Sequence, residues 1–159
     1  MTPGYDLLLV AHVAAGVVGF GAIGASGVEA RAGRRSPDPA RDLALRRFFA
    51  PGVDWAARVV FLVPILGLPL LFGAAPQDES LAYPWVGLGL WVAATGVATA
   101  SCWPAERRAQ QVLARLAEAP GSEPTALAEF RQACTAMERA VGVISLLFLA
   151  AVAVMIAQP

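Results

Sequence analysis

All twelve basic residues of this 159-residue chain are arginines, and they fall in or beside two segments that separate long apolar runs. Arg31, Arg34, Arg35, Arg41, Arg46, Arg47 and Arg58 lie between the first and second runs or at the edge of the second. Arg107, Arg108, Arg115, Arg131 and Arg139 lie between the third and fourth. The remaining connection and both ends carry none. Basic connections are retained on the inner side of a membrane, and acidic residues contribute little to that choice. The pattern predicts four spanning helices, at residues 7–27, 55–72, 85–103 and 140–157, with both termini outside.

Composition supports that frame. The chain is 57% hydrophobic and only 15% charged, with a mean hydropathy of +0.60. A water-soluble domain of this length cannot hide so much apolar surface, and apolar runs of about 18 residues or more read as spanning helices. The expected fold is an all-α, antiparallel four-transmembrane-helix bundle, a single domain over residues 1–159. An amphipathic inner-side helix and a cytoplasmic extension of the third and fourth helices complete it. Residues 1–6 contain no basic n-region, so the first helix is expected to stay in the mature protein. The absence of lysine suggests a GC-rich coding genome, and the expected location is a bacterial cytoplasmic membrane.

The first run is rich in small residues. Ala11, Ala15 and Gly19 stand four apart and share a face on which another helix can approach closely. Gly89 and Ala93 offer a similar face on the third run, which makes the first and third helices the expected central pair or an oligomer interface. In the first basic connection, Asp38 and Pro39 provide helix-start chemistry, Pro51-Gly52 a stop, and Leu45, Phe48 and Phe49 a common apolar side. That predicts a short helix on the inner membrane surface. Basic residues such as Arg34, Arg35, Arg46, Arg47, Arg107 and Arg108 would lie near anionic headgroups, each worth about 1 kcal/mol there.

Arg58 sits one turn inside the second run, placed to snorkel to the inner boundary and to pair with Asp54. Pro64 and Pro69 are expected to bend the same helix and free backbone carbonyls. Tyr5, Tyr83 and Trp85 mark the outer boundary, Trp55 and Trp103 the inner one. Beyond the third run, Pro104 suits a first helical position, Pro120-Gly121 a break and Ser122 a new cap. Val112, Leu113 and Leu116 then face Leu127, Phe130 and Cys134 across a helical hairpin.

Chemistry-bearing residues are few. His12 is the single histidine and the one ionisable group well inside an expected span. A bland reading bonds its imidazole to a facing carbonyl or hydroxyl where glycines bring helices together. A functional reading makes it a haem or copper ligand. Haem would need a second axial group, from a symmetric dimer, a partner or Met155. Copper through His12 and Met155 lacks the usual third soft ligand. Two isolated cysteines, Cys102 and Cys134, make a poor zinc or cluster site and are expected to remain reduced thiols. The sequence has no Gly-x-Ser-x-Gly, HExxH or P-loop pattern and no intramembrane carboxylate pair, so no catalytic residue is assigned and no resident cofactor is expected. Nucleic acid is not needed to explain the basic segments, because orientation and anionic lipid account for them.

Several stretches together resemble a bacterial family of small predicted integral membrane proteins, catalogued as domain of unknown function 2269. They are also distantly similar to copper-resistance D-type membrane domains. The stretches are Leu7-Leu8-Leu9-Val10-Ala11-His12 with the glycine-rich run after it, Pro51 ahead of the second helix, Pro104 with Arg107, and the tail from Met155 to Pro159. Where that family often has Trp before a Gly-Gly pair, this chain has Gly19-Phe20-Gly21, and Gln158 replaces its usual basic residue before the final proline. The resemblance covers nearly the whole chain, implies a four-helix fold with His12 as a recurring feature, and carries no activity. Three functional readings follow: an accessory or assembly subunit of a larger membrane complex or a homodimer, a haem- or copper-handling protein using His12, and a small transporter or channel component using Arg58, Pro64 and Pro69.

Overall fold

The computed structural model describes residues 3–73, 82–118 and 124–157, and among them every regular element is helical. The elements are α1 (Pro3–Arg35), α2 (Leu43–Phe48), α3 (Trp55–Arg58), α4 (Leu62–Gly73), α5 (Ala82–Val97), α6 (Trp103–Glu118) and α7 (Pro124–Ile156). A 3₁₀ turn at Val59–Phe61 joins α3 to α4, and a π turn at Ala98–Cys102 joins α5 to α6. Three helical stretches are long and apolar enough to cross a membrane: Pro3–Arg35, Pro84–Glu118 and Pro124–Ile156. The stretch Trp55–Leu71 is apolar but shorter. The outer connection with Pro76, Asp78 and Glu79, the Tyr83 side chain, the Pro120-Gly121 break, the Ser122 cap and the terminal Gln158-Pro159 lie outside the described residues.

Local chemistry explains where these elements begin and end. α1 continues eight residues past the expected span, to Arg35. Residues 28–35 hold good helix formers and no proline, and Arg34 and Arg35 complement the dipole in the last turn. The inner-side helix does not start at Asp38. Asp38 and Pro39 instead make a turn closed by the Arg41 amide on the Asp38 carbonyl at 3.2 Å, and Asp42 is the N-cap, accepting from the Ala44 and Leu45 amides. Pro39 presets the first central position of such a turn, while Asp42 stands immediately before a proline-free run. Asp54 caps α3 in the same way, through the Ala56 and Ala57 amides.

Pro104 also behaves differently from expectation. It does not start a separate helix, because α5 runs into α6 through the π turn, with the Trp103 amide reaching the Ala98 carbonyl. A proline cannot donate to the carbonyl four residues back, and a widened turn accommodates that loss without a break.

Contacts divide the chain into two compact units. The first comprises Met1–Ile23, Asp54–Thr95 and Ser145–Pro159. In it, Gly19 sits so close to Val60 that an added Cβ would stand 2.5 Å from the Val60 nitrogen. Ala15 is buried on the same face of α1, and the rings of Phe20 and Phe148 stack at 4.4 Å. The close approach to α1 is thus made by the 3₁₀ turn of the second apolar stretch. Gly89 and Ala93, expected to serve a central helix pair or an oligomer interface, are exposed, and nothing lies within 4 Å of a Cβ built at Gly89. The face of α5 that is buried carries Gly87 and Ala94 instead.

The second unit comprises Gly24–Val53 and Gly96–Ile144. Its core contains Leu45, Phe49, Phe130, Cys134, Met137 and Ile144, all nearly inaccessible. Phe49 meets Phe130 edge to face at 5.6 Å, and Gly33 admits the Phe130 ring and the Cys134 sulfur where a Cβ would be crowded at 3.2 Å. Leu45 and Phe49 therefore bury the apolar side of α2 inside the protein rather than against lipid. Val112, Leu113 and Leu116 of α6 are buried in this unit, as are Phe130 and Cys134 of α7.

Candidate functional site

The site around His12 is built by one absent side chain and one well-placed carbonyl. Gly67 has no Cβ, and one added there would come within 2.8 Å of the imidazole. The ring consequently lies against α4, with Nδ1 2.8 Å from the Val63 carbonyl oxygen. A carbonyl only accepts, so Nδ1 is the nitrogen that carries hydrogen, and in the neutral ring Nε2 holds the lone pair. The histidine is half-buried.

A second side chain works by the same rule. Pro64 has no amide hydrogen to give the Val60 carbonyl four residues earlier. The Trp91 indole supplies the missing donor at 3.0 Å. Both interactions satisfy part-buried polar groups, and a donor or acceptor left unmatched on burial costs about 1–3 kcal/mol. Thr95 and Thr99 bond back to their own preceding turns, at the Trp91 and Gly96 carbonyls. Trp91 and Gly67 were not identified from sequence. The signal for Trp91 was present: a mid-run indole needs an acceptor, and Pro64 exposes one.

Met155, the conceivable partner ligand, sits beside Gly87 of α5, its methyl carbon 3.4 Å from a Cβ built there. His12 is held by Val63 and Gly67 of α4, so the two residues have different neighbours. No group of three or more His, Cys, Asp or Glu side chains able to hold a metal occurs among the described residues. Cys102 and Cys134 are buried free thiols. Burial pushes the Cys134 thiol up to about 12, against the opposing pull of the Arg34 charge. At neutral pH that sulfur is protonated and is neither nucleophile nor ready ligand.

The basic residues separate into distinct roles. Arg34 and Arg31 share the Glu138 carboxylate of α7 at 3.0 and 3.3 Å. Arg115 pairs with Glu129 at 2.9 Å, joining α6 to α7. Arg131 donates to the Ser36 carbonyl. Arg35, Arg46, Arg47, Arg107 and Arg108 are exposed. Glu138 was not singled out in the sequence, because a helical acid acquires its role only when α1 lies beside α7 in this unit. Of the expected aromatic belt, Trp55 and Trp85 are exposed, while Trp103 is buried.

No protein-family model matches the chain, and no characterised protein or solved structure is significantly similar to it.

Proposed function

We propose that this chain is a multi-pass protein of a bacterial cytoplasmic membrane, with four spans and both termini outside, serving as a non-enzymatic accessory or assembly subunit of a larger membrane complex. The Trp55–Leu71 stretch is the remaining span in this reading, close to the lower length limit of about 17 residues. The resemblance to the family of unknown function belongs to the same proposal and contributes a fold without an activity.

The observation that carries it is the state of His12. The one ionisable side chain deep in the first span is committed to helix packing through Val63 and Gly67. Gly89 and Ala93 of α5 meanwhile remain open to a helix from outside the chain. Native mass of the protein, gently extracted from its own host, tests this reading. Tens of kDa beyond one chain, retained in His12→Ala, is the expected result. A mass of one or two bare chains overturns it.

A haem-binding reading stands second, because one observation favours it. A ligating histidine is commonly oriented by donating its other nitrogen to a carbonyl. His12 Nδ1 does so, leaving Nε2 for a metal. A Soret band removed by His12→Ala, with about 0.6 kDa lost per site, would establish that reading.

A further inference from the structure

Between α6 and α7, in the second unit, runs an open groove of about 450 Å³. The wall formed by the π turn and α6 carries Ser101, Pro104, Arg108, Gln111 and Arg115, spaced by three and four residues so that they share one face. Gln132 and Ala136 contribute to the α7 wall. At the end nearest the π turn the exposed lining is Ala100, Ser101 and Pro104, apolar but for the Ser101 hydroxyl, with Ala136 contributed by α7; Ala105, Val112 and Ala133 are the buried lining residues.

Charge is distributed unevenly along it. Arg115 and Glu129 neutralise each other at 2.9 Å. Arg108 has no ion-pair partner among the described residues, so the groove carries one uncompensated positive charge. Gln111, Gln132 and Ser101 add hydrogen-bond donors along the same groove. Arg108 lies five residues beyond the end of the third span proposed above, roughly 7–8 Å along the helix. That is the level of lipid phosphates.

We infer that this groove holds the headgroup of an anionic phospholipid, with Arg108 on its phosphate and the glycerol end of its acyl chains along Ala100, Pro104 and Ala136. The inference rests on the membrane reading above. A soluble anion would gain one arginine and nothing from the apolar end. A lipid uses both, and basic pockets beside spanning helices on the inner side suit such headgroups.

The full-length protein in nanodiscs of phosphatidylcholine with graded phosphatidylglycerol tests this. Lipid retained by the released protein is counted by native mass spectrometry for wild type, Arg108→Gln, Ala136→Trp and the exposed control Arg139→Gln, which does not line the groove. Preferential retention of one phosphatidylglycerol is expected, weakened roughly fivefold by Arg108→Gln, reduced also by Ala136→Trp and unchanged by Arg139→Gln. Equal weakening by both arginine variants would overturn the site in favour of diffuse surface charge. Displacement of the lipid by millimolar inorganic phosphate would overturn the lipid in favour of a soluble anion. Unchanged melting of Arg108→Gln excludes unfolding as the cause of lost binding. A charged thiol reagent applied to Arg108→Cys in sealed vesicles separates the two levels. Labelling from outside sinks the proposed topology, whereas labelling only from inside, with no loss of lipid in Arg108→Gln, sinks this inference alone.

Discussion

The two units divide α1, α5 and α7 between them but obey opposite surface rules. Among the described residues, 18 of the 22 large exposed hydrophobic side chains belong to the first unit. Eleven of the twelve arginines belong to the second, with Arg58 the exception. The first unit shows Leu7, Ile65 and Leu149 to its surroundings and directs its polar hydrogens at carbonyls: His12 at Val63, Trp91 at Val60. The second closes around Leu45, Phe49, Phe130 and Met137 and leaves its arginines half-buried or exposed, with Glu106 its one buried acid among the described residues. One is assembled as for an apolar solvent and the other as for water. The contact division owes nothing to charge, yet it separates charge from exposed apolar surface. The three long apolar helices fit a membrane protein on the same grounds.

The sharpest way to break this comparison is to damage one core and watch the other. Phe130 is fully buried and touches Phe49 and the Gly33 backbone region. Phe130→Ala leaves a ring-sized void, with an expected loss of about 3–5 kcal/mol. Amide hydrogen exchange should accelerate in Gly24–Val53 and Gly96–Ile144 well before Met1–Ile23 responds. Equal acceleration everywhere would dissolve the distinction between the units.

Gly19→Ala reverses the experiment. The new methyl group meets the Val60 backbone at 2.5 Å, and backbone cannot swing aside as a long side chain does. Overpacking of this kind costs about 1–3 kcal/mol. At Gly21, where nothing lies within 4 Å, the same change is expected to stabilise slightly, because alanine is the better helix former. Thermal unfolding in detergent compares the two variants, and a Gly21→Ala loss as large as that of Gly19→Ala would refute the packing role of Gly19.

Trp91→Phe is a smaller perturbation of the same unit. The ring remains against Phe61, but the Val60 carbonyl loses its indole donor. A destabilisation of about 1 kcal/mol is expected. Infrared spectroscopy with a ¹³C label at the Val60 carbonyl should show that band shift up in frequency. An unmoved band would mean that the bond does not persist in solution.

These examples also show what a sequence can hold. The apolar runs and arginine placement were enough for an all-helical chain with long apolar helices, because both are sums over many residues. His12 was recognisable for a different reason: it is the single histidine and the one ionisable group well inside an expected span. Its neighbours were not recognisable. Ala11, Ala15 and Gly19 predict a close approach, expected to be to the third helix or across an oligomer interface, and the contact at Gly19 is with Val60 of the second apolar stretch. Gly89 and Ala93 have the same spacing yet point outward, because four-residue periodicity marks a face but not what covers it. α2 illustrates the converse. Leu45 and Phe49 share an apolar side that suits lipid or protein equally, and only the presence of Phe130 decides for protein.

The smallest expected effect distinguishes the units by solvent. Glu138 is shared by Arg31 and Arg34, and all three side chains keep substantial access to solvent. Removing the carboxylate in Glu138→Ala should cost only about 0.5–1 kcal/mol, since exposed pairs retain little net energy. The deficit should shrink further as salt is raised from low ionic strength to 1 M, where the screening length falls to about 3 Å. The Gly19→Ala deficit has no charge in it and should stay constant over the same range. If stability measurements showed both deficits indifferent to salt, the Glu138 clamp would be acting through packing rather than charge, and the electrostatic account of the second unit would need replacing.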